Sequence, residues 1–584
     1  MLGVLGGVSA ESGAVTAIRS DVVLELEDER RRGCQRLRYQ RRHVRSVAAG
    51  TLAVTYRSGR TAAGACVHPA EIEAVAPRGM AFSYDTMAEV MRLRHVELLQ
   101  REEVRVELAG RGIRISTGSV SNLSRLGLAC LEQVHEAAAA RLGASYRREA
   151  FVLHLDGTRE GGQWCQFVLR EGFTGNVLLA RKIRSEHSDD IETMLRRAKE
   201  LFGPPDAVVS DMSAAILKAV GAVLPDVPHL VCHFHFLKAV GSLLLGPEHE
   251  AIGHGLKHTR GELAKLRREA VAALRQGDAR QRWIVGLIDR IGQYRVELSA
   301  EGFPFDLPNL HYARHCAMVL TGTEEILARL PIRPDDPLHQ RLVRLRTLLR
   351  YVGDSGVLAR GVARLTVLDG LFANLRNILH PRRTDDRQAP LNWGRIEQPQ
   401  HLPDIARALD ALRERARRKT ACKSLGTGDR RAWRIIHSHL ADYAGKLNPI
   451  LVVRDRTFLL PRTNNLSETA FRDLKRRQRR TTGNGDLSRQ LDHMPPQVFY
   501  AANLTDPNYC RLVFGDSPMH EAFATADWTA VKTAAAAMAA PASPGAVDRE
   551  LVGSPAFFAT VGAALAEELG ERPVSPSAAT PVTP

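Results

Sequence analysis

Three carboxylates occupy places where a chain could use them: Asp156, Asp211 and Glu468. Asp156 follows the apolar run Phe151–Leu155, and Asp211 follows Ala207–Ser210. A carboxylate that closes a buried strand is held by rigid backbone and faces the rim of its sheet. Each acid also has a plainer job open to it. Asp156-Gly157 is turn chemistry, and Asp211 is placed to cap a helix beginning near Ser213. Glu468, three residues after Asn465, fits a capping box. A cap does not explain the basic run behind it. Arg472, Lys475 and Arg479 follow Glu468 at intervals of four, three and four, so they share one helix face, with Leu466, Ala470 and Leu474 opposite. A carboxylate heading a basic stripe suits a helix that lies along DNA phosphates.

The first two acids need a sheet to position them. Phe151–Leu155, Gln166–Leu169 and Val177–Ile183 are short apolar runs separated by glycines at 161, 162, 172 and 175, which predicts three strands joined by hairpins. A helix-period segment, Asp189–Leu201, precedes a fourth strand at Ala207–Ser210. A second helix over Ser213–Leu224 precedes a fifth strand at His229–His233. An antiparallel meander feeding parallel βαβ units predicts a mixed α/β sheet with helices on its faces.

This order, with an acid on its first and fourth strands, resembles the RNase H-like catalytic core of DDE transposases. Cys232-His233-Phe234-His235 resembles the Cys-x-x-His signature of the Mutator-like group and related bacterial insertion-sequence transposases. Thr463-Asn464-Asn465-Leu466-Ser467-Glu468 is similar to the group's Thr-Asn-Asn-x-x-Glu signature, which lies beyond a helical insertion. The resemblance covers about Phe151–Tyr509, broken by a divergent middle. It implies a DNA transposase: Asp156, Asp211 and Glu468 as catalytic and metal-binding residues, cleavage at the ends of an element, then joining of the 3′-hydroxyl to target DNA. An oxygen-only trio suits Mg²⁺ or Mn²⁺. Asp156 would bridge two ions about 4 Å apart, with Asp211 and Glu468 each completing one. The partners so implied are double-stranded DNA, as terminal inverted repeats and as target, and a homodimer or higher oligomer assembled on it. Two other readings stay open: an RNase H-like nuclease or resolvase that cuts without joining, and a non-catalytic DNA-binding regulator.

Composition agrees with a nucleic-acid partner. The 584 residues carry a formal net charge of +16, and most of the basic residues are arginine, the residue suited to bidentate phosphate contacts. Eight scattered cysteines form no disulfide framework, which places the chain in a reducing cytoplasm, at the nucleoid when bound to DNA. The start, MLGVLGGVSA, lacks a basic n-region, and no apolar run approaches a membrane span.

Six regions are expected. Residues 1–80 form a basic, β-rich module that touches DNA backbone; its Cys34, His43, Cys66 and His68 match no common zinc spacing. Residues 81–145 carry two helical periods, a turn at Gly110-Arg111-Gly112 and a further helix capped by Ser116-Thr117. This is the helix-turn-helix pattern, with Thr117, Ser121, Asn122 and Arg125 toward a DNA groove; an ordinary αα-hairpin is its plainer alternative. Residues 146–238 form the first part of the core. Residues 239–448, rich in periodic leucine and arginine, form an all-helical insertion, since the stretch from Asp211 to Glu468 is far too long for a loop. Residues 449–530 return to the core through strands at Ile450–Val453 and Thr457–Leu460. Residues 531–584 form a largely disordered Ala/Pro/Ser tail, with one helix over Phe557–Leu569. His229, Cys232, His233 and His235 cannot all converge from one strand, so Cys232 and His235 are expected to support the site by packing or hydrogen bonding.

Overall fold

The computed structural model describes residues 18–160, 164–184, 187–299, 301–329, 332–379, 402–462 and 483–539, with 470–472, 474–476 and 478–479. Asn465, Leu466, Glu468 and the tail beyond 539, including Phe557–Leu569, lie outside the described residues.

Glycine-bounded apolar runs become the central sheet. Its strands are β5 (Val152–Thr158), β6 (Cys165–Glu171), β7 (Val177–Ile183), β8 (Ala207–Ser210) and β9 (His229–Val231), in the order β7-β6-β5-β8-β9. β5 pairs antiparallel with β6 and β6 with β7; β5–β8 and β8–β9 are parallel. The crossovers are α7 (Ser188–Phe202) and α8 (Ala214–Val223). Ile191, Met194, Leu195, Ala198 and Phe202 form the buried stripe of α7, the spacing that binds a helix to a sheet. Gly203, at φ 83°, ends α7 in a conformation that favours glycine.

Ahead of this sheet lies a smaller one. Its elements are β1 (Ile18–Leu24), α1 (Asp28–Arg31), β2 (Cys34–Ser46), β3 (Gly50–Thr61), β4 (Cys66–Val67) and α2 (Ala70–Val75). β2 is an edge strand in the order β1-β3-β2, and β4 pairs with β3. Four helices follow: α3 (Tyr84–His95), α4 (Arg101–Gly110), α5 (Thr117–Ala137) and α6 (Ala139–Tyr146). After β9 the chain is helical from α9 (His233–Arg275) through α10 (Arg282–Gly292), α11 (Pro308–Arg329), α12 (Pro337–Asp354), α13 (Gly356–Leu379), α14 (Leu402–Ala421) and α15 (Thr427–Tyr443). It returns through the hairpin β10 (Ile450–Val453) and β11 (Arg456–Leu459). The described part of the chain closes with α16 (Ser488–His493), a 3₁₀ stretch at Pro496–Thr505, α17 (Pro507–Phe514), α18 (Met519–Ala524) and α19 (Trp528–Ala539).

Two large cores hold most of the packing. One hydrophobic core takes in α3–α6, β5–β7, α7, α8 and the C-terminal helices, from Tyr84 and Leu131 through Phe167 and Ile191 to Tyr500 and Val531. No change of core marks the boundary expected at 145/146, because the second half of α5 (Leu128, Leu131, Val134, His135) is buried against the sheet layer. Val531 and Ala535 of α19 are buried in the same core, so the ordered chain runs past the expected start of the tail at 531. The helical region has its own core, including Phe236, Leu256, Ile284, Leu345, Phe372 and Trp433. β10 and β11 pair with each other, and Leu451 and Leu460 cover Val152, Val209 and Leu230 on the far face of the central sheet. Among the described residues no helix is long and apolar enough to cross a membrane.

Candidate functional site

β5 and β8 are in register at Val152–Ala207, Leu153–Val208 and His154–Val209. Carried two steps on, that register sets Asp156 level with Asp211. β8 and β9 are in register to Ser210–Val231, and the Cys232 N–H donates to the Ser210 carbonyl at 2.7 Å, so Cys232 is level with both acids. Three neighbouring parallel strands therefore bring Asp156, Asp211 and Cys232 side by side, with adjacent strands ~4.8 Å apart. The C-terminal ends of parallel strands are where open sheets place their ligands.

Asp156 does not close its strand. Gly157 pairs with Phe167 and Thr158 with Gln166, so β5 runs two residues further and the turn at Asp156-Gly157 is not formed. The carboxylate is buried and accepts the Gly157 N–H at 2.9 Å. Asp211 is half-buried and directly follows β8. Its Oδ1 accepts the N–H of Ser213, the residue that caps α8, at 2.9 Å, which leaves the rest of the carboxylate for other work.

One feature of this face was missed from the sequence. His154, Asp156 and Thr158 of β5 share one face, Arg170 and Gln166 of β6 lie opposite His154 and Thr158, and all five are buried. His154 lies opposite Arg170 in the ladder. Burial pulls the Arg170 guanidinium down to about 10, and the Asp156 carboxylate works against that fall. The Arg170 Nη1 donates to the Gly175 carbonyl at 3.0 Å. A polar lane thus runs through the middle of a buried sheet. Its signal was the period-two alternation of polar residues within LHLDGT, with Gln166 and Arg170 four apart, and so on one face, in QFVLR.

The Cys-x-x-His segment is not a strand. β9 stops at Val231, and His233 opens α9, with Cys232 at the N-cap position and no side-chain cap bond. The argument from strand alternation therefore does not apply to these residues. Cys232 is buried, and His235, within the first turn of α9, is half-buried. His233 is fully buried. Its Nε2 lies 3.0 Å from the Leu447 carbonyl, and its N–H donates to the Arg462 carbonyl at 2.9 Å. Burial, and then the charge of Arg462, lowers its pKa to about 3, so it stays neutral. His229, lowered to about 4 chiefly by burial, bonds Ser210 Oγ at 2.8 Å. These imidazoles tie the acid-bearing strands to α9 and to the returning chain.

The described residues between 470 and 479 are helical. Leu474 packs against the main core as expected, and Phe471, outside the expected apolar stripe, is buried edge-to-face on Phe499 at 5.7 Å. On the basic side Lys475 and Arg479 meet a carboxylate, and Arg472 meets none among the described residues. Lys475 Nζ lies 3.6 Å from Glu160 Oε2 and donates to the Arg159 carbonyl at 3.3 Å; Arg479 pairs with the same Glu160. Glu160 follows β5, so two of the three expected DNA contacts anchor the helix to the tip of the strand that carries Asp156.

Thr117, Ser121, Asn122 and Arg125 are not brought to this place. Thr117 and Asn122 are exposed and Ser121 and Arg125 half-exposed on the first three turns of α5. α5 follows α4 through Gly112, at φ 78°, with Ser116 Oγ capping its first turn. Ser121 Oγ donates to the Thr117 carbonyl at 3.2 Å. Among the described residues no group of three metal-binding side chains converges, and Glu468 lies outside them. What can be tested fits a hard cation in part: two carboxylates level on adjacent strands have suitable chemistry, but one already faces a buried arginine.

No family model matches the chain, and no curated protein does. Nine chains of solved structures match. One belongs to the Drosophila P element transposase strand transfer complex, at 11% identity and a TM-score of 0.32, over 76% of this chain and 94% of that one.

Proposed function

We propose that the chain is a DNA transposase of the DDE type, with an RNase H-like central sheet that carries the chemistry. The observation that carries this reading is the level placement of Asp156 and Asp211 on adjacent parallel strands, in a five-stranded sheet whose second strand runs against the rest. The anchoring of the 470–479 helix at the tip of β5 supports it. The Lys475–Glu160 contact lies seven positions after Glu468 and four after Asp156. That contact brings the chain that follows Glu468 to the strand of Asp156, and Glu468 is the third acid of the proposal.

Asp156, Asp211 and Glu468 would hold Mg²⁺ or Mn²⁺ as a pair of ions. A bound divalent ion supplies Lewis acidity at a phosphodiester and a deprotonated nucleophile at neutral pH. The chain's own residues supply position. Glu160 fixes the basic helix, the neutral His229 and His233 hold the strand ends, and Arg472 with the start of α5 meets the DNA. Incubating the protein and Mg²⁺ with DNA from the flanks of its own gene tests the reading: joined products support it, and nicks alone identify a nuclease.

Arg170 favours a second reading, a DNA-binding regulator in which Asp156 only balances a buried cation. Asp156→Asn separates the two. A metal ligand, once removed, abolishes cleavage and leaves the metal-free melting temperature within a few degrees. A charge partner, once removed, strands Arg170 in the sheet, at a cost of about 3–5 kcal/mol that appears as early melting.

A further inference from the structure

We propose that the outer half of the β2–β3 hairpin is a ribbon that grips the phosphate backbone of duplex DNA without reading its sequence. β2 contains five arginines, β3 contains two, and neither strand has an acid. Three of the seven have structural partners. Arg42 reaches the Pro77 and Met80 carbonyls, Arg45 donates to the Arg114 carbonyl at 3.0 Å and covers Phe82, and Arg57 lies 3.4 Å from Glu25. The other four, Arg36, Arg38, Arg41 and Arg60, are exposed and meet no carboxylate among the described residues. Arg36 lies directly opposite Arg60 in the ladder. Like charges set across a strand pair destabilise it, so the fold gains nothing from this arrangement without an anion between them.

Charges on an edge strand also prevent sheet-to-sheet aggregation, and that is the competing explanation. It needs one or two charges on β2 and does not account for Arg60 on the interior strand. The choice of duplex rests on geometry and on the DNA-binding reading of α5. Arg45 is bonded to the turn that leads into α5, and Arg36 lies nine residues away along β2. At ~3.3 Å per residue that is about 30 Å, close to one turn of B-DNA from a base-reading helix. Single-strand binding relies on stacked aromatic side chains. The outer half of the hairpin exposes Tyr39, and Arg57 already lies over that ring at 5.4 Å.

The test is the salt dependence of binding to a random-sequence duplex, so it depends neither on the metal-binding trio nor on base contacts by α5. The full chain carrying Arg36→Gln, Arg38→Gln and Arg41→Gln should lose about 2–3 from the slope of log K against log salt, and at least tenfold in affinity at low salt. The same positions changed to glutamate keep an edge-protecting charge and should bind still more weakly. Wild-type slopes in both variants, with unchanged melting, would overturn the proposal. So would loss of solubility in the glutamine variant without loss of slope, which marks edge protection. Single-stranded DNA competing better than duplex would overturn it too, as would variants that lose binding only to anionic phosphatidylserine vesicles. If cleavage fails in all proteins but the slopes differ as stated, the transposase reading falls and this one stands.

Discussion

The chain carries two arginine-rich segments that look alike in sequence and differ in what faces them. On the 470–479 helix, Lys475 and Arg479 converge on Glu160, a carboxylate more than 300 positions earlier. On β2, Arg36, Arg38 and Arg41 face solvent with no carboxylate among the described residues. The first is largely spent inside the protein and holds two segments together. The second is left for a partner. Charge spacing tells which side chains share a face, and only the fold tells whether the face is already neutralised.

The largest break in this comparison should come from Glu160→Gln. It releases both cations at once, so cleavage should fall tenfold or more while non-specific DNA binding tightens and its salt slope steepens by about 1–2. A variant that cuts normally with an unchanged slope would mean that Glu160 anchors nothing. A smaller effect should divide the helix itself. Arg472→Ala should remove about 1 from the salt slope, whereas Lys475→Ala should leave the slope alone and lower stability by about 0.5–1 kcal/mol, read as a melting shift. Equal slopes for the two variants would return Lys475 to the DNA surface. The smallest effect belongs inside the hairpin. Arg57 is already paired with Glu25, so Arg57→Ala should change the slope by less than about 0.5. A loss as large as that of its unpaired neighbours would erase the distinction drawn between paired and free arginines.

Much of the central sheet was legible, because short apolar runs between glycines and one strong helical stripe leave few alternatives. β7 and β8 fall on their expected residues, and the helices differ by a residue or so at their ends. The misreadings share a physical origin. Gly157 is a turn signal by composition, yet it pairs in the ladder opposite Phe167, so β5 runs past Asp156. The run His229–Phe236 is too short for its period to separate strand from helix; β9 stops at Val231, and α9 begins at His233. Arg170 passed unnoticed as one charge in an apolar strand, although it faces the site more closely than any residue of α5. The boundary expected at 145/146 lies between stretches that pack into one core. A core is defined by who packs on whom, and the half of α5 that follows Arg125 packs on the sheet layer.

The main core also has an order in time. Its walls come from both ends of the described chain: α3 and α5 early, the 3₁₀ stretch, α18 and α19 late, with the separately packed helical region threaded between. During synthesis β5–β7 emerge roughly 350 residues before Val531, the side chain that helps close the layer above them. At roughly 5–20 residues per second this is a wait of about 20–70 s. The helical region, whose partners are nearer to one another in sequence, can fold during that interval. The strands that carry the acids must stay uncovered or guarded until the last helices leave the ribosome. Truncation before Trp528 should therefore yield a protein whose helical region is folded while the sheet layer stays open, and proteases should cut such a protein first near β5–β7.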